Sequence, residues 1–304
     1  MPDLSRASPD VTPGPLVPVD DPADPRLDLY RHLKEPAARI RLDAQASVFV
    51  VEGRLAVDRL LTSGYPIRSL LVDDHQVTAA GDLVEATRSR GAPVFVGSRA
   101  VVADTVGFDL HRGVVAIADR PPPNDAGDLL GDVTGLPARE GAPPRVAVLE
   151  GLNDHENIGA LFRSAAAFGV AGILLDPTCA DPLYRRSVRV SVGHVLYLPF
   201  ARLAPWPAGL GQVKAAGFLL AALAPRPAVD TGTPVIGLDQ LRRQVPDPVG
   251  PRGVALLLGA EGPGLSGGAL AMCDVVVTIP MADGVDSLNV AAAAAVAFHA
   301  LAGP

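Results

Sequence analysis

"LEGLNDHENIGALFRSAAAFGV", residues 149–170, joins two apolar runs of different period across a polar turn. The run that leads into it, "RVAVLEG", has an unbroken apolar centre at Val146–Leu149, as a strand covered on both faces does. After the turn, Ile158, Leu161, Phe162, Ala165 and Phe168 recur at helical spacing and make the buried stripe of an amphipathic helix. Asn153, Asp154 or Asn157 is placed to cap that helix by accepting from a free N–H. One residue breaks the pattern. Arg163 lies off the stripe, and its neighbours three and four residues away are Gly159, Ala160, Ala166 and Ala167. With such small neighbours its guanidinium either reaches over the helix surface toward a ligand or stands in solvent.

The alternation continues downstream. "GILLD" predicts a strand, "PLYRRSVRVSVG" a helix, "VLYLPFA" a strand, "LGQVKAAG" a helix and "FLLAALA" a strand. "VALLLG" at 254–259 and "DVVVTIP" at 274–280 are further strands, and "SLNVAAAAAVAFHALAG" is a last helix. Apolar strands alternating with helices predict an α/β fold, a mostly parallel sheet with helices on both faces. Ligands of such sheets gather beyond the carboxyl ends of the strands. Three polar clusters fall there, at 150–157, 259–266 and 279–289.

Upstream, "ASVFVVEG", "IRSLLVD", "APVFVG" and "GVVAIAD" predict strands, with helices at "RLAVDRLLTSG" and "VTAAGDLVEATRSRG". They form a smaller α/β domain over 37–119. Residues 1–36, rich in Pro and Asp, are expected to be a disordered or loosely attached tail. Residues 120–145, with a Pro triplet and several glycines, are expected to be a linker. The larger domain is then 146–304.

Composition sets outer limits. The chain has 304 residues, 48% of them hydrophobic, enough for two domains with their own cores. Mean hydropathy is +0.28, but no apolar run reaches the length of a membrane span. The N-terminus lacks a basic start followed by an apolar core, so no secretory signal is read and the cytoplasm is the expected compartment. Cys179 and Cys273 stand far apart, with neither zinc spacing nor a disulfide framework. Net charge is −7, against wholesale nucleic-acid binding, so local charge has to decide. Lys34 and Lys214 are the only lysines among 26 basic residues; coding bias explains the arginine excess most simply.

The second cluster, "LLLGAEGPGLS", runs from a buried strand into Gly259, Glu261, Gly262, Gly264 and Ser266. Glycines there let a ligand approach the backbone, or simply make a tight turn. The segment is neither a P-loop nor the dinucleotide G-x-G-x-x-G. The third, "IPMADGVDSLNVAAAAAV", passes through Asp283-Gly284 to Ser287, a good N-cap for the alanine-rich helix. Small alanines let that helix pack closely, either on the core or on a second subunit.

Together and in this order, "NDHENIGALFRSAAAFG", "LLLGAEGPGLS" and "IPMADGVDSLNVAAAAA" resemble the three motifs of the SpoU (TrmH-like) RNA ribose 2′-O-methyltransferases. The resemblance covers 146–304. One departure is His155, where the family often has proline two residues before the motif asparagine. Residues 37–119 look like the family's accessory RNA-binding domain, similar to a ribosomal-protein L30e fold. The resemblance implies a trefoil knot in the larger domain, S-adenosylmethionine as cofactor, rRNA or tRNA as partner, and a homodimer. It implies a cofactor pocket lined by Leu258, Gly259, Ile279, Met281 and Leu288. It also implies a catalytic group of Arg163, Asn157, Glu261, Ser287 and Asn289. Arg163 would stabilise negative charge on the ribose oxygen, as an oxyanion donor does, and contact the RNA phosphate. Asn157 would orient Arg163 or the ribose, with Glu261 steering Arg163 and Ser287 the phosphate. Arg185, Arg186 and Arg189 in "YRRSVRV" would add RNA contacts, since the guanidinium fork suits phosphate. Two other readings compete. One is an RNA-binding protein of the same fold without transferase activity. The other is a nucleotide-dependent oxidoreductase, which the missing dinucleotide fingerprint opposes.

Overall fold

The computed structural model describes residues 12–110, 113–135, 143–225, 232–244 and 252–302. The chain divides into two compact units. One comprises residues 1–121 with 183–197, the other 122–182 with 198–304.

The first unit contains β1 (Leu16–Val19), α1 (Pro36–Ala46), β2 (Val48–Glu52), α2 (Arg54–Thr62), β3 (Ile67–Asp73), α3 (Gly81–Arg88), β4 (Val94–Gly97), α4 (Arg99–Val106) and β5 (Val114–Asp119). Its sheet order is β1-β4-β3-β5-β2, parallel in the first two pairings and antiparallel in the others. Within the expected tail, residues 16–36 are instead part of this unit. β1 pairs in register with β4, and Pro18 is tolerated because β1 is the sheet edge. Behind it, a 3-10 segment over Pro25–Tyr30 buries Leu27 and Tyr30 completely, and Leu33 follows them into the core. The Tyr30 hydroxyl bonds the buried Ser69 at 2.6 Å. The buried Arg39 guanidinium donates to Asp43 and, at 2.6 and 3.1 Å, to the Leu29 and Arg31 carbonyls, which ties this strap to α1. Residues 1–11 of the expected tail lie outside the described residues.

The second unit holds α5 (Ala126–Gly135), β6 (Arg145–Glu150), α6 (His155–Ala167) and β7 (Gly172–Leu175). The chain then returns to the first unit for α7 (Arg185–Val190), which packs on β2. Back in the second unit follow β8 (Phe200–Arg202), α8 (Leu210–Ala215), β9 (Phe218–Leu223), β10 (Val235–Gly237), α9 (Leu238–Gln244), β11 (Gly253–Gly259), α10 (Gly267–Met272), β12 (Val275–Thr278) and α11 (Val290–Leu301). Its seven strands run in the order β10-β12-β9-β11-β6-β7-β8, every pair parallel. Val146, Val148, Ala255 and Leu257 face a core closed by α5, α8 and α10. Their alternates Ala147, Leu149, Leu256 and Leu258 are equally buried, on the side where α11 packs on β11 and α6. This is the α/β class expected.

Two expectations about connections fail. The 120–145 linker contains α5, whose Ala126, Leu129, Leu130 and Val133 are buried at helical spacing. Residues 136–142 of it lie outside the described residues. "VLYLPFA" is a strand only at its end. Val195 and Leu196 are buried in a 3-10 turn, after a backbone that passes through left-handed conformations at Val192 and Gly193.

Candidate active site

β6 ends at Glu150, Gly151 turns the chain at φ +69°, and Asp154 caps α6, its Oδ1 accepting from the Glu156 amide at 2.6 Å. Of the three capping candidates Asp154 takes the role, which leaves Asn157 free for other bonds. Beside β6 in the sheet, β11 ends at Gly259, and its loop folds straight back over it. A Cβ built on Gly259 would lie 2.4 Å from the Gly264 carbonyl carbon, so only glycine fits. The Gly264 amide donates to the Ala260 carbonyl at 3.0 Å, and Gly262 and Gly264 take φ of +87° and +68°. The glycines of this cluster therefore have steric reasons that spacing alone left open.

The third cluster turns through Ala282–Val285, with Gly284 at φ +82°, and enters α11. Its N-cap is Asn289, not Ser287. Asn289 Oδ1 accepts from the Ala291 and Ala292 amides at 3.0 and 3.2 Å. The same residue's Nδ2 reaches outward, to Asn157 Oδ1 at 2.9 Å and Glu261 Oε1 at 2.6 Å. Asn157 Nδ2 also donates to Glu261 Oε1, at 3.2 Å. Three separate chain segments thus meet in one triangle of hydrogen bonds.

Beside it lies a cavity of about 610 Å³, within the range of small-molecule pockets. Leu258, Gly259, Ile279, Met281 and Leu288 all line it, together with Glu261, Ser287 and Asn289. Leu223 to Pro225, at the end of β9, complete the wall; no motif pointed to them. The lining is apolar side chain mixed with exposed loop backbone, which suits a flat aromatic base with a polar tail.

Arg163 stands six residues beyond Asn157 on α6, about 9 Å along the axis, and its side chain is exposed. It is not bonded to Glu261 or Asn157: those two groups bind each other and Asn289, so neither holds Arg163 directly, and the alternative role of Asn157 toward the ribose is untouched by this geometry. Arg185 is corrected as well. It turns inward, pairing with Glu52 at 2.5 Å, donating to the Leu33 carbonyl at 2.9 Å and lying over the Phe108 ring. Arg186 and Arg189 are exposed on the same helix, Arg189 3.8 Å from Glu52.

Several supporting groups carried no motif signal. The buried Arg145 donates to the Leu301 carbonyl and, at 3.0 Å, to the Phe168 carbonyl, tying down the last turns of α11 and α6. Asp176, at the end of β7, accepts from the amides of Gly151, Thr178 and Cys179. Burial pushes the thiols of Cys179 and Cys273 up to about 12, which leaves both protonated near neutrality. In the first unit Asp73, Asp74 and His75 bring ligand atoms within 4.8 Å of one another. Asp73 is engaged there in capping the next turn, accepting from the His75 amide at 2.9 Å. Among the described residues no helix is long and apolar enough to cross a membrane.

A parallel α/β sheet with three strand-end loops converging on one cavity, and a separate small α/β unit, define a two-domain α/β protein with a ligand pocket beyond the carboxyl ends of its strands. The family model for the SpoU rRNA methylase family matches residues 144–299, and that for RNA 2′-O ribose methyltransferase substrate binding matches 50–123. An uncharacterised tRNA/rRNA methyltransferase of Mycobacterium tuberculosis is 42% identical over 282 residues, 92% of this chain and 90% of that protein. Another, from Mycobacterium ulcerans, is 30% identical over 87% of this chain and 79% of its own length. The chain belongs to the SpoU family and is an RNA methyltransferase. Among solved structures, an rRNA methyltransferase from Sinorhizobium meliloti, with bound AdoMet, superposes with a TM-score of 0.72 at 24% identity. It covers 94% of this chain and 97% of its own. The SpoU methyltransferase AviRb from Streptomyces viridochromogenes, in complex with AdoMet, gives 0.72 at 23%, over 92% and 98%. Both share the fold, which is the knotted fold of SpoU methyltransferases.

Proposed function

We propose that this chain transfers the methyl group of S-adenosylmethionine to a ribose 2′-hydroxyl of rRNA or tRNA. The observation that carries the reading is the meeting of Asn157, Glu261 and Asn289 at the wall of a cavity lined by Leu258, Gly259, Ile279, Met281 and Leu288. The family membership and the AdoMet in the two solved neighbours support the same cofactor. The apolar walls and the loop backbone at 259–265 would hold its adenine and ribose.

When bound, S-adenosylmethionine would be held by Leu258, Gly259, Ile279, Met281 and Leu288 and would supply an electrophilic methyl group on sulfonium; the ribose hydroxyl that accepts the methyl would give up its proton to solvent water. The chain's own task is to lower the cost of charge on that oxygen. Arg163 is the fixed cation for this work, since a guanidinium stays charged at any physiological pH. Its exposure is what a group meant to touch an incoming macromolecule requires. Asn157, Glu261 and Asn289 fix the frame of the pocket, and Ser287, exposed on its rim, faces the RNA side.

The first unit holds the RNA, with Arg186 and Arg189 as phosphate contacts. The working form is a homodimer in the cytoplasm; the exposed Val296, 44% accessible on the small-residue helix α11, supports a protein contact there.

The test is calorimetry with S-adenosylmethionine followed by transfer of labelled methyl to RNA. Binding with transfer is expected. RNA binding without transfer would make the chain a binder of the same fold; affinity for NAD in place of S-adenosylmethionine would replace the reading altogether.

A further inference from the structure

Glu150 has no part in the chemistry above, yet it is a carboxylate buried to 8% exposure directly behind the cavity. It ends β6 and sits in register opposite Gly259 of β11. Among the described residues no cation pairs with it. Its two oxygens are met instead by two neutral N–H donors. Oε1 accepts from the Trp206 indole at 2.7 Å, and Oε2 accepts from the Ser266 backbone amide at 3.0 Å. Ser266 in turn caps α10, its Oγ accepting from the Ala269 amide at 3.2 Å.

The loop between Gly259 and Ser266 is thereby held at both ends. Its start is fixed by pairing to β6, and its end by the last side chain of that same strand. Glu261 and the glycines that wall the cavity lie between the two. We infer that Glu150 is a positioning residue, which sets the 260–266 loop, and through it Glu261, for S-adenosylmethionine; this rests on the reading of the cavity given above. The residue type follows from the donors. Two N–H groups converging on one side chain need an acceptor at each end, and only a carboxylate has two. A glutamine of the same size would turn its NH2 against the indole or the Ser266 amide and leave a buried donor unpaired.

The experiment uses the full chain and three variants: Glu150→Gln, Trp206→Phe and the two combined. Amide exchange is measured without ligand and S-adenosylmethionine affinity by calorimetry. Glu150→Gln is expected to speed exchange at Glu261–Ser266 about tenfold or more and to weaken cofactor affinity by a similar factor. Trp206 is the only tryptophan, so its emission reports the same loss directly. Removing the indole donor relieves the conflict, because the glutamine oxygen can then serve Ser266 alone. The double variant should therefore recover most of both losses, which a simple packing role would not allow. Unchanged exchange in Glu150→Gln, or a double variant no better than the single one, overturns the inference. If Glu150→Gln does not fold, the double variant is expected to fold, and its failing alike counts against it. If the unaltered chain takes up no S-adenosylmethionine, the functional reading falls, while the exchange and double-variant results still decide the role of Glu150.

Discussion

Glu261 Oε1 accepts from Asn157 Nδ2, Asn289 Nδ2 and, at 3.4 Å, the Val290 amide. An oxygen so surrounded is held in place and is poorly suited to leave and steer a guanidinium. The proposed function then divides the labour at residue scale: the triangle would be framework, and Arg163 would act by itself on what arrives from outside. Arg163→Ala should then lower the turnover of methyl transfer about 10²- to 10³-fold, the usual cost of one charge-stabilising donor. S-adenosylmethionine affinity by calorimetry should stay within about twofold. Parallel loss of both would return Arg163 to the pocket frame. Gly259→Ala should act the other way round. The added methyl collides with the backbone at Gly264, which has no soft direction to move, so cofactor affinity should collapse. A variant that binds normally would mean that the loop does not need its closed form.

At the scale of elements, the strap ahead of α1 carries more than its composition suggests. Leu27, Tyr30 and Leu33 are fully or nearly fully buried, each contributing about 1.5–3 kcal/mol by area removed from water. Leu27→Ala should cost about 2–5 kcal/mol of unfolding free energy in urea titration. A change under about 0.5 kcal/mol would restore the picture of a loose tail. The strap is hard to read in sequence because the Pro- and Asp-rich stretch just before it, "PVDDPADP", has the composition of a tail, while Leu27, Tyr30 and Leu33 anchor the chain at uneven spacing. The 126–133 stripe is legible at i, i+3, i+4 and i+7, but the Pro triplet before it and Gly127 and Gly131 within it have the composition of a linker. Strands buried on both faces, β6, β9 and β11, are plain, because a short, unbroken apolar run between turn residues has nowhere to go but the middle of a sheet. The site is legible as three separate strings. What no string carries is the partner across space. That Asn289 caps α11 in place of Ser287, and that Glu150 faces Ser266, depend on how loops from distant segments meet.

Across the whole molecule, the net charge of −7 requires that RNA affinity come from a local surface. With Arg185 committed to Glu52 and Leu33, the exposed candidates on α7 are Arg186 and Arg189. Reversing both to glutamate should weaken RNA binding and flatten its salt dependence, by a slope of about 1 for each phosphate no longer neutralised. Cofactor affinity should not change. Equal salt slopes in the variant and the unaltered chain would move the RNA surface elsewhere. The central claim, however, concerns where the methyl goes. The most direct measurement is transfer of labelled methyl from S-adenosylmethionine to rRNA or tRNA by the purified chain, followed by digestion to nucleosides. The account predicts label on a 2′-O-methylated ribose, formed about 10²- to 10³-fold more slowly with Arg163→Ala; label on a base, or transfer at an undiminished rate without Arg163, would contradict it.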